Sequence, residues 1–217
     1  MYQLSIISAT AFVRTALDEL MTVEETGMLV DADAVNLQRL VVNSIVEAVV
    51  KTHQGALSVL IDGNIGVQGE DYTAELDDNG VITITMLQDT LRVASVQAAD
   101  SPVVLTDIVP EDSAEGRKQL NRYVRGVSDD PRVVLQKRWS GPYRPIMKYY
   151  STEEDTCPAI SLEYVPYPVL EEAVINISPQ LEYAVLNELV AMILDSVNQH
   201  EKAALYRAKS QAIMEGK

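Results

Sequence analysis

Apolar residues recur at three- and four-residue steps at both ends of the chain, and at two-residue steps between them. Near the start, Phe12, Val13, Ala16, Leu17 and Leu20 fall on one stripe, which predicts an amphipathic helix. Residues 22–31 read as a connection in which Gly27 is a stop signal. A second helix is expected from Asp33, a candidate N-cap. Leu37, Leu40, Val41, Ile45, Ala48 and Val49 give it one apolar face to about His53, and Gly55 ends it. At the other end, Ser178-Pro179 couples a hydroxyl N-cap to proline at the first helical position. Leu181, Val185, Leu186, Leu189, Val190, Ile193 and Val197 then continue a broad apolar face. Asn198 and Glu201 have capping-box spacing, so this helix is expected to break and restart there, running to about Met214.

Between about 56 and 166 the period is two. The segments 72–76 and 81–86 flank Asp77-Asp78-Asn79-Gly80, and Asn-Gly tolerates the positive φ angles of a tight hairpin turn. Further strands are expected at 91–98, 103–108, 133–139, 146–150 and 160–164. Pro110-Glu111-Asp112-Ser113 opens a helical turn that carries Arg117 and Lys118 away from the sheet. Tyr164-Val165-Pro166-Tyr167-Pro168 is an extended crossing, because each proline disfavours helix in the residue before it. Ile175 and Ile177 then pack inward. The fold class is α+β: a helical bundle built from both chain ends (1–55 plus 167–217) with an inserted antiparallel β domain (56–166).

Charge sharpens this picture. The 217 residues carry 17 Lys and Arg against 32 Asp and Glu, a net −15, which argues against a free nucleic-acid binder. The imbalance is uneven. Residues 56–116 hold one basic and 12 acidic side chains, whereas residues 117–150 hold nine basic and two acidic ones. That basic window comprises Arg117, Lys118, Arg122, Arg125, Arg132, Lys137, Arg138, Arg144 and Lys148, with Tyr123, Trp139, Tyr143, Tyr149 and Tyr150 among them. Three readings stay open: solvated strand faces with local ion pairs, a nucleic-acid face, or a surface that meets an acidic neighbour. In a chain of this charge, copies of the same chain supply that neighbour. Subunit contact is then assigned to Arg117, Lys118, Arg122, Arg125, Arg132, Lys137 and Arg138.

Catalytic chemistry has little to rest on. The glycines in Ile61-Asp62-Gly63-Asn64-Ile65-Gly66-Val67-Gln68-Gly69 run into acids with no lysine, a poor phosphate loop. A calcium loop placed with Gly80 sixth puts Met86 where the closing bidentate carboxylate belongs. His53 and His200 are the two histidines and Cys157 the one cysteine, too few for a zinc site. Glu153, Glu154 and Asp155 before Cys157 work against a reactive thiolate in a Cys157–His200 pair. No enzyme activity and no cofactor are expected. A lone cysteine suits a reducing compartment, no apolar run reaches 18 residues, and the start of the chain lacks the basic region of a signal peptide.

The layout carries a resemblance. Pro166-x-Pro168, Ile175-x-Ile177-Ser178-Pro179-x-Leu181, a long Ala/Leu helix and the tail Glu201-Lys202-Ala203-Ala204-Leu205-Tyr206-Arg207-Ala208 follow one another after the β insertion. This arrangement resembles the head–tail connector (portal adaptor) proteins of tailed bacteriophages. The stretch from Ile108 to Gln119, continuing to Asn121-Arg122-Tyr123, resembles ring proteins of crAss-like phages. The resemblance implies a structural virion protein, assembled in the host cytoplasm as a ring of about twelve copies between the portal protein and the next tail ring. The genome would pass through its lumen without specific binding, and no membrane is involved. It implies portal docking by the tail helix, through Leu205, Tyr206, Ile213 and Met214. The competing class is an adhesin or carbohydrate-binding β module on a helical base, which needs an exposed aromatic platform among Trp139, Tyr143, Tyr149 and Tyr150.

Overall fold

Two units divide the chain: residues 1–62 with 168–217, and residues 63–167. The computed structural model describes residues 2–20, 34–99, 101–121, 123–127, 130–136, 143–150 and 157–216. The architecture is mixed α+β with antiparallel sheets, and five α-helices lie among the described residues. The connection around Gly27, the Asp33 cap and Trp139 fall outside those residues, as do the acids at 153–155.

The first unit opens on a strand that the hydrophobic pattern does not announce. β1 (Tyr2–Ser5) leads directly into α1 (Ile6–Leu20), which α2 (Ala34–Gly55) follows. After the second unit come β10 (Leu170–Glu171), β11 (Val174–Ile177), α4 (Glu182–Ser196) and α5 (His200–Met214). β1 and β10 both pair antiparallel with β11, Tyr2 opposite Ile177 and Glu171 opposite Val174. The β10–β11 turn is Glu172-Ala173, both at positive φ (48° and 63°). That is a two-residue hairpin turn made without the usual Asn or Gly. Ile175 and Ile177 are buried, as expected, in one core with Val13 and Leu17 of α1, Val41 and Ile45 of α2, and much of α4. α4 packs against α1, α2 and α5, and ten of its side chains are buried; such a helix is apolar on most of its circumference because it sits inside the core.

Two capping expectations are corrected. Ser178 makes no side-chain cap bond, and a 3-10 turn, Pro179–Leu181, precedes α4. Its hydroxyl oxygen instead accepts the Asp62 N–H at 2.9 Å, and its own N–H donates to Nε2 of buried His53 at 3.1 Å. His53 Nδ1 lies 3.0 Å from the Val49 carbonyl oxygen, so it carries the proton and the imidazole is held as a neutral cross-brace. The helix does break at residues 197–199, but through Asn198 at φ +62°, with no side-chain cap bond at Gln199.

The second unit holds two sheets around one core. β2 (Asn64–Ile65), β9 (Ile160–Pro166) and β5 (Thr90–Ala98) form the first, in the order β2-β9-β5. The other runs β3-β4-β8-β7-β6, from β3 (Tyr72–Leu76), β4 (Val81–Met86), β8 (Ile146–Tyr150), β7 (Arg132–Gln136) and β6 (Ile108–Pro110). Tyr72, Ile82, Ile84, Val133, Met147 and Tyr149 from the larger sheet share that core with Val93, Val96, Leu162 and Tyr164. The hairpin expected at 77–80 is present. The Asp77 carboxylate accepts the Asn79 and Val81 N–H groups at 2.8 and 2.9 Å, and Gly80 supplies the positive φ of 71°. The strand expected at 103–108 is not formed: Leu105 makes an isolated bridge to Val96. β6 lies further on and pairs parallel with β7, Ile108 beside Val133. A parallel pair needs a crossover rather than a tight turn, and the described part of that crossover begins at Glu111.

Candidate functional site

That crossover carries the first half of the basic window. Ser113 caps α3 (Ala114–Lys118), its hydroxyl accepting the Gly116 N–H at 2.9 Å and donating to the Pro110 carbonyl at 2.7 Å. A Cβ on Gly116 would stand 2.2 Å from the Pro110 carbonyl oxygen, so only glycine lets the turn sit this close to β6. Buried Gln119 then accepts the Gly126 N–H at 2.7 Å, and the Asn121 side chain accepts the Tyr123 N–H at 3.1 Å. The loop is braced at both ends. Yet it leaves Leu120, Tyr123, Val124 and Val127 in solvent, Tyr123 being 94% exposed. Arg117 is exposed beside them and makes no ion pair among the described residues. Apolar side chains on a braced protrusion with an arginine alongside have the composition of an interface anchor.

Four of the other basic residues are engaged within the chain. Lys118 pairs with Glu115 at 2.9 Å, Arg132 with Asp130 at 2.8 Å and Arg144 with Asp89 at 3.0 Å. Arg125 Nη2 donates to the Asn79 carbonyl oxygen at 2.6 Å. Arg122, Lys137 and Arg138 lie outside the described residues. Exposed pairs of this kind contribute about 0–1 kcal/mol each, so a stronger external partner can displace them. The pattern of charge pointed to this window. The four exposed apolar side chains on the loop were missed because, taken singly, Leu, Tyr and Val carry no mark of exposure.

The residues expected to dock on a portal separate. Leu205 is 58% exposed, but Tyr206 is 5% exposed and belongs to the core of its unit. This corrects the expectation for Tyr206: a ring buried in the core of its own unit cannot also face a partner. Ile213 and Met214 are half-buried, and the Leu57 N–H donates to the Met214 carbonyl at 3.1 Å. Of the tyrosines considered for an aromatic platform, Tyr149 and Tyr150 are buried and Tyr143 is exposed.

The described residues bring no group of three or more His, Cys, Asp or Glu together as metal ligands. His200 Nδ1 lies 2.8 Å from Asp195, and Arg207 reaches the same carboxylate. The hydrogen bond from His200 holds the Asp195 carboxyl below the ordinary range; burial opposes this and Arg207 reinforces it. No helix among the described residues is long and apolar enough to cross a membrane. No protein-family model, curated protein or solved structure matches the chain.

Proposed function

We propose that this protein is a structural ring subunit of a tailed-phage virion, seated between portal and tail around the DNA channel. In this reading the helical bundle built from both chain ends is the base and the β domain is its insertion. About twelve copies close the ring, and Leu205 lies on the face turned to the portal. The observation that carries the reading is the braced loop with Leu120, Tyr123 and Val124 exposed beside Arg117 in a chain of net charge −15. An exposed apolar and basic protrusion finds its complement on an acidic, apolar surface, and the chain offers one. Ile65 of β2 is 80% exposed, with Val67 and Glu70 exposed after it. β2 and β6 stand at the edges of different sheets, so a loop meeting the next copy's β2 edge gives a head-to-tail contact. Contacts of that type close into rings.

The test is assembly. Arg117→Glu with Tyr123→Ala is expected to abolish the large cyclic species seen by light scattering and negative-stain microscopy, while melting is unchanged. Adding Glu70→Arg should restore part of it. Normal rings from the double variant would overturn the reading. The same wild-type sample should bind no duplex DNA at physiological salt, because a wall of this net charge repels phosphates.

A further inference from the structure

The β unit contains a cleft of about 580 Å³ that the ring reading leaves unused, within the size range of small-molecule sites. Val93, Ile108, Leu135 and Met147 line it with apolar surface. Arg92 from β5 and Arg144 before β8 both reach it, together with Asp107 and Gln136. Arg92 is the one basic residue between positions 56 and 116, and it is partly buried, which lowers its pKa. Two arginines, one on β5 and one just before β8, thus line the same cleft in a chain of net charge −15.

The segment Asp89–Thr90 organises the mouth. The Asp89 carboxylate holds Nε of Arg144 at 3.0 Å, and its carbonyl accepts the Tyr167 N–H at 2.8 Å. The Thr90 N–H donates to the Tyr143 carbonyl. Tyr143 and Tyr167 are thereby brought into a stack, centroids 4.1 Å apart and planes 19° from parallel, while Tyr143 remains 54% exposed. Because Asp89 is bonded through Nε, the Nη groups of Arg144 make no hydrogen bond among the described residues.

We infer that this cleft binds a sugar acid: a pyranose ring carrying a carboxylate, taken up by Arg144 and Arg92 with the ring against Tyr143. The chemistry selects that class in three steps. A guanidinium fork matches a carboxylate in two parallel hydrogen bonds. The negative face of an exposed aromatic ring suits the C–H face of a sugar. Asp107, which only accepts, would repel a bare anion but accepts hydrogen bonds from hydroxyl groups, and a sugar acid supplies hydroxyls together with the carboxylate.

The experiment is a calorimetric titration of the full-length protein, ring or single chain, with D-glucuronate, D-glucose and inorganic phosphate. Saturable binding is expected with glucuronate, and binding at least about tenfold weaker with glucose and phosphate, the scale of one charge-assisted pair. Arg144→Gln and Tyr143→Ala should each weaken glucuronate about tenfold or more. Arg39→Gln, at an exposed position on α2, should leave it unchanged. Absence of saturation with glucuronate overturns the inference. So does glucose binding as well as glucuronate, or phosphate doing so, which would mark a bare oxyanion site. Should Arg144→Gln fail to melt cooperatively, Tyr143→Ala decides alone. Ring assembly is read separately, so failure of one proposal leaves the other standing.

Discussion

Tyr149 is fully buried on β8, and its hydroxyl has no hydrogen-bond partner among the described residues. A buried polar group left unpaired costs about 1–3 kcal/mol, so Tyr149→Phe, which keeps the ring, is expected to leave stability unchanged or raise it by about 1 kcal/mol. Urea unfolding measures this; a loss above that size would mean the hydroxyl is bonded in solution. Asp195 gives the opposite kind of residue. Its pKa is lower in the fold than in the unfolded chain, so its ionisation stabilises the fold above the ordinary carboxylate value of about 3.9. That contribution disappears as pH falls through the lower folded value. Asp195→Asn should therefore lower the melting temperature at pH 7 and converge with wild type at the acid end; parallel curves would refute the assignment. Neither property was legible beforehand. A tyrosine in a strand pattern gives no sign of where its hydroxyl ends, and the partners of Asp195 come together only once the chain turns back at Asn198.

At the scale of elements, the sequence was most informative where periodicity is long and local. α1, α2 and α4 follow from their apolar stripes, and the β3–β4 hairpin follows from Asp77 and Gly80. What stayed hidden depends on distant pairing. β1 is four residues long and its partner β11 lies at the far end of the chain, so nothing near Tyr2 announces a strand. The Glu172-Ala173 turn adopts positive φ with residues that do not advertise it, and the parallel β6–β7 pair leaves no local signature. The tail helix shows the same limit. The resemblance implies docking by this helix, yet Ala203, Tyr206 and Ser210 are buried, and Ser210 donates to the Ala184 carbonyl at 2.9 Å. Truncation after Asn198 uncovers the α4 surface these side chains cover, where losing even one large core side chain costs about 3–5 kcal/mol. The truncated protein is expected to aggregate and bind a hydrophobic dye; a cooperatively melting, soluble product would show instead that α5 is an appendage.

At the scale of the whole molecule, the charge distribution marked out residues 117–150 before any geometry was known, but not which of them are spent. Ion pairing to Glu115 and Asp130 takes up Lys118 and Arg132, whereas Asp89 holds Arg144 through Nε alone, and only the fold shows it. The fold also separates two kinds of chain continuity, and this has a consequence for synthesis. Residues 63–167 form one unbroken stretch, whereas the other unit needs both ends of the chain. On the ribosome, Tyr2 waits for Ile177 and α2 waits for α4, so the part made first is finished last. With elongation at roughly 5–20 residues per second, α1 and α2 spend seconds with apolar stripes uncovered while the β unit can already close. Protease challenge of stalled nascent chains should find residues 63–167 protected before residues 1–62; the reverse order would mean that the opening helices find a partner of their own. The amphipathic opening of the chain is thus the segment that depends most on chaperone cover, although its helices are the easiest to read in the sequence.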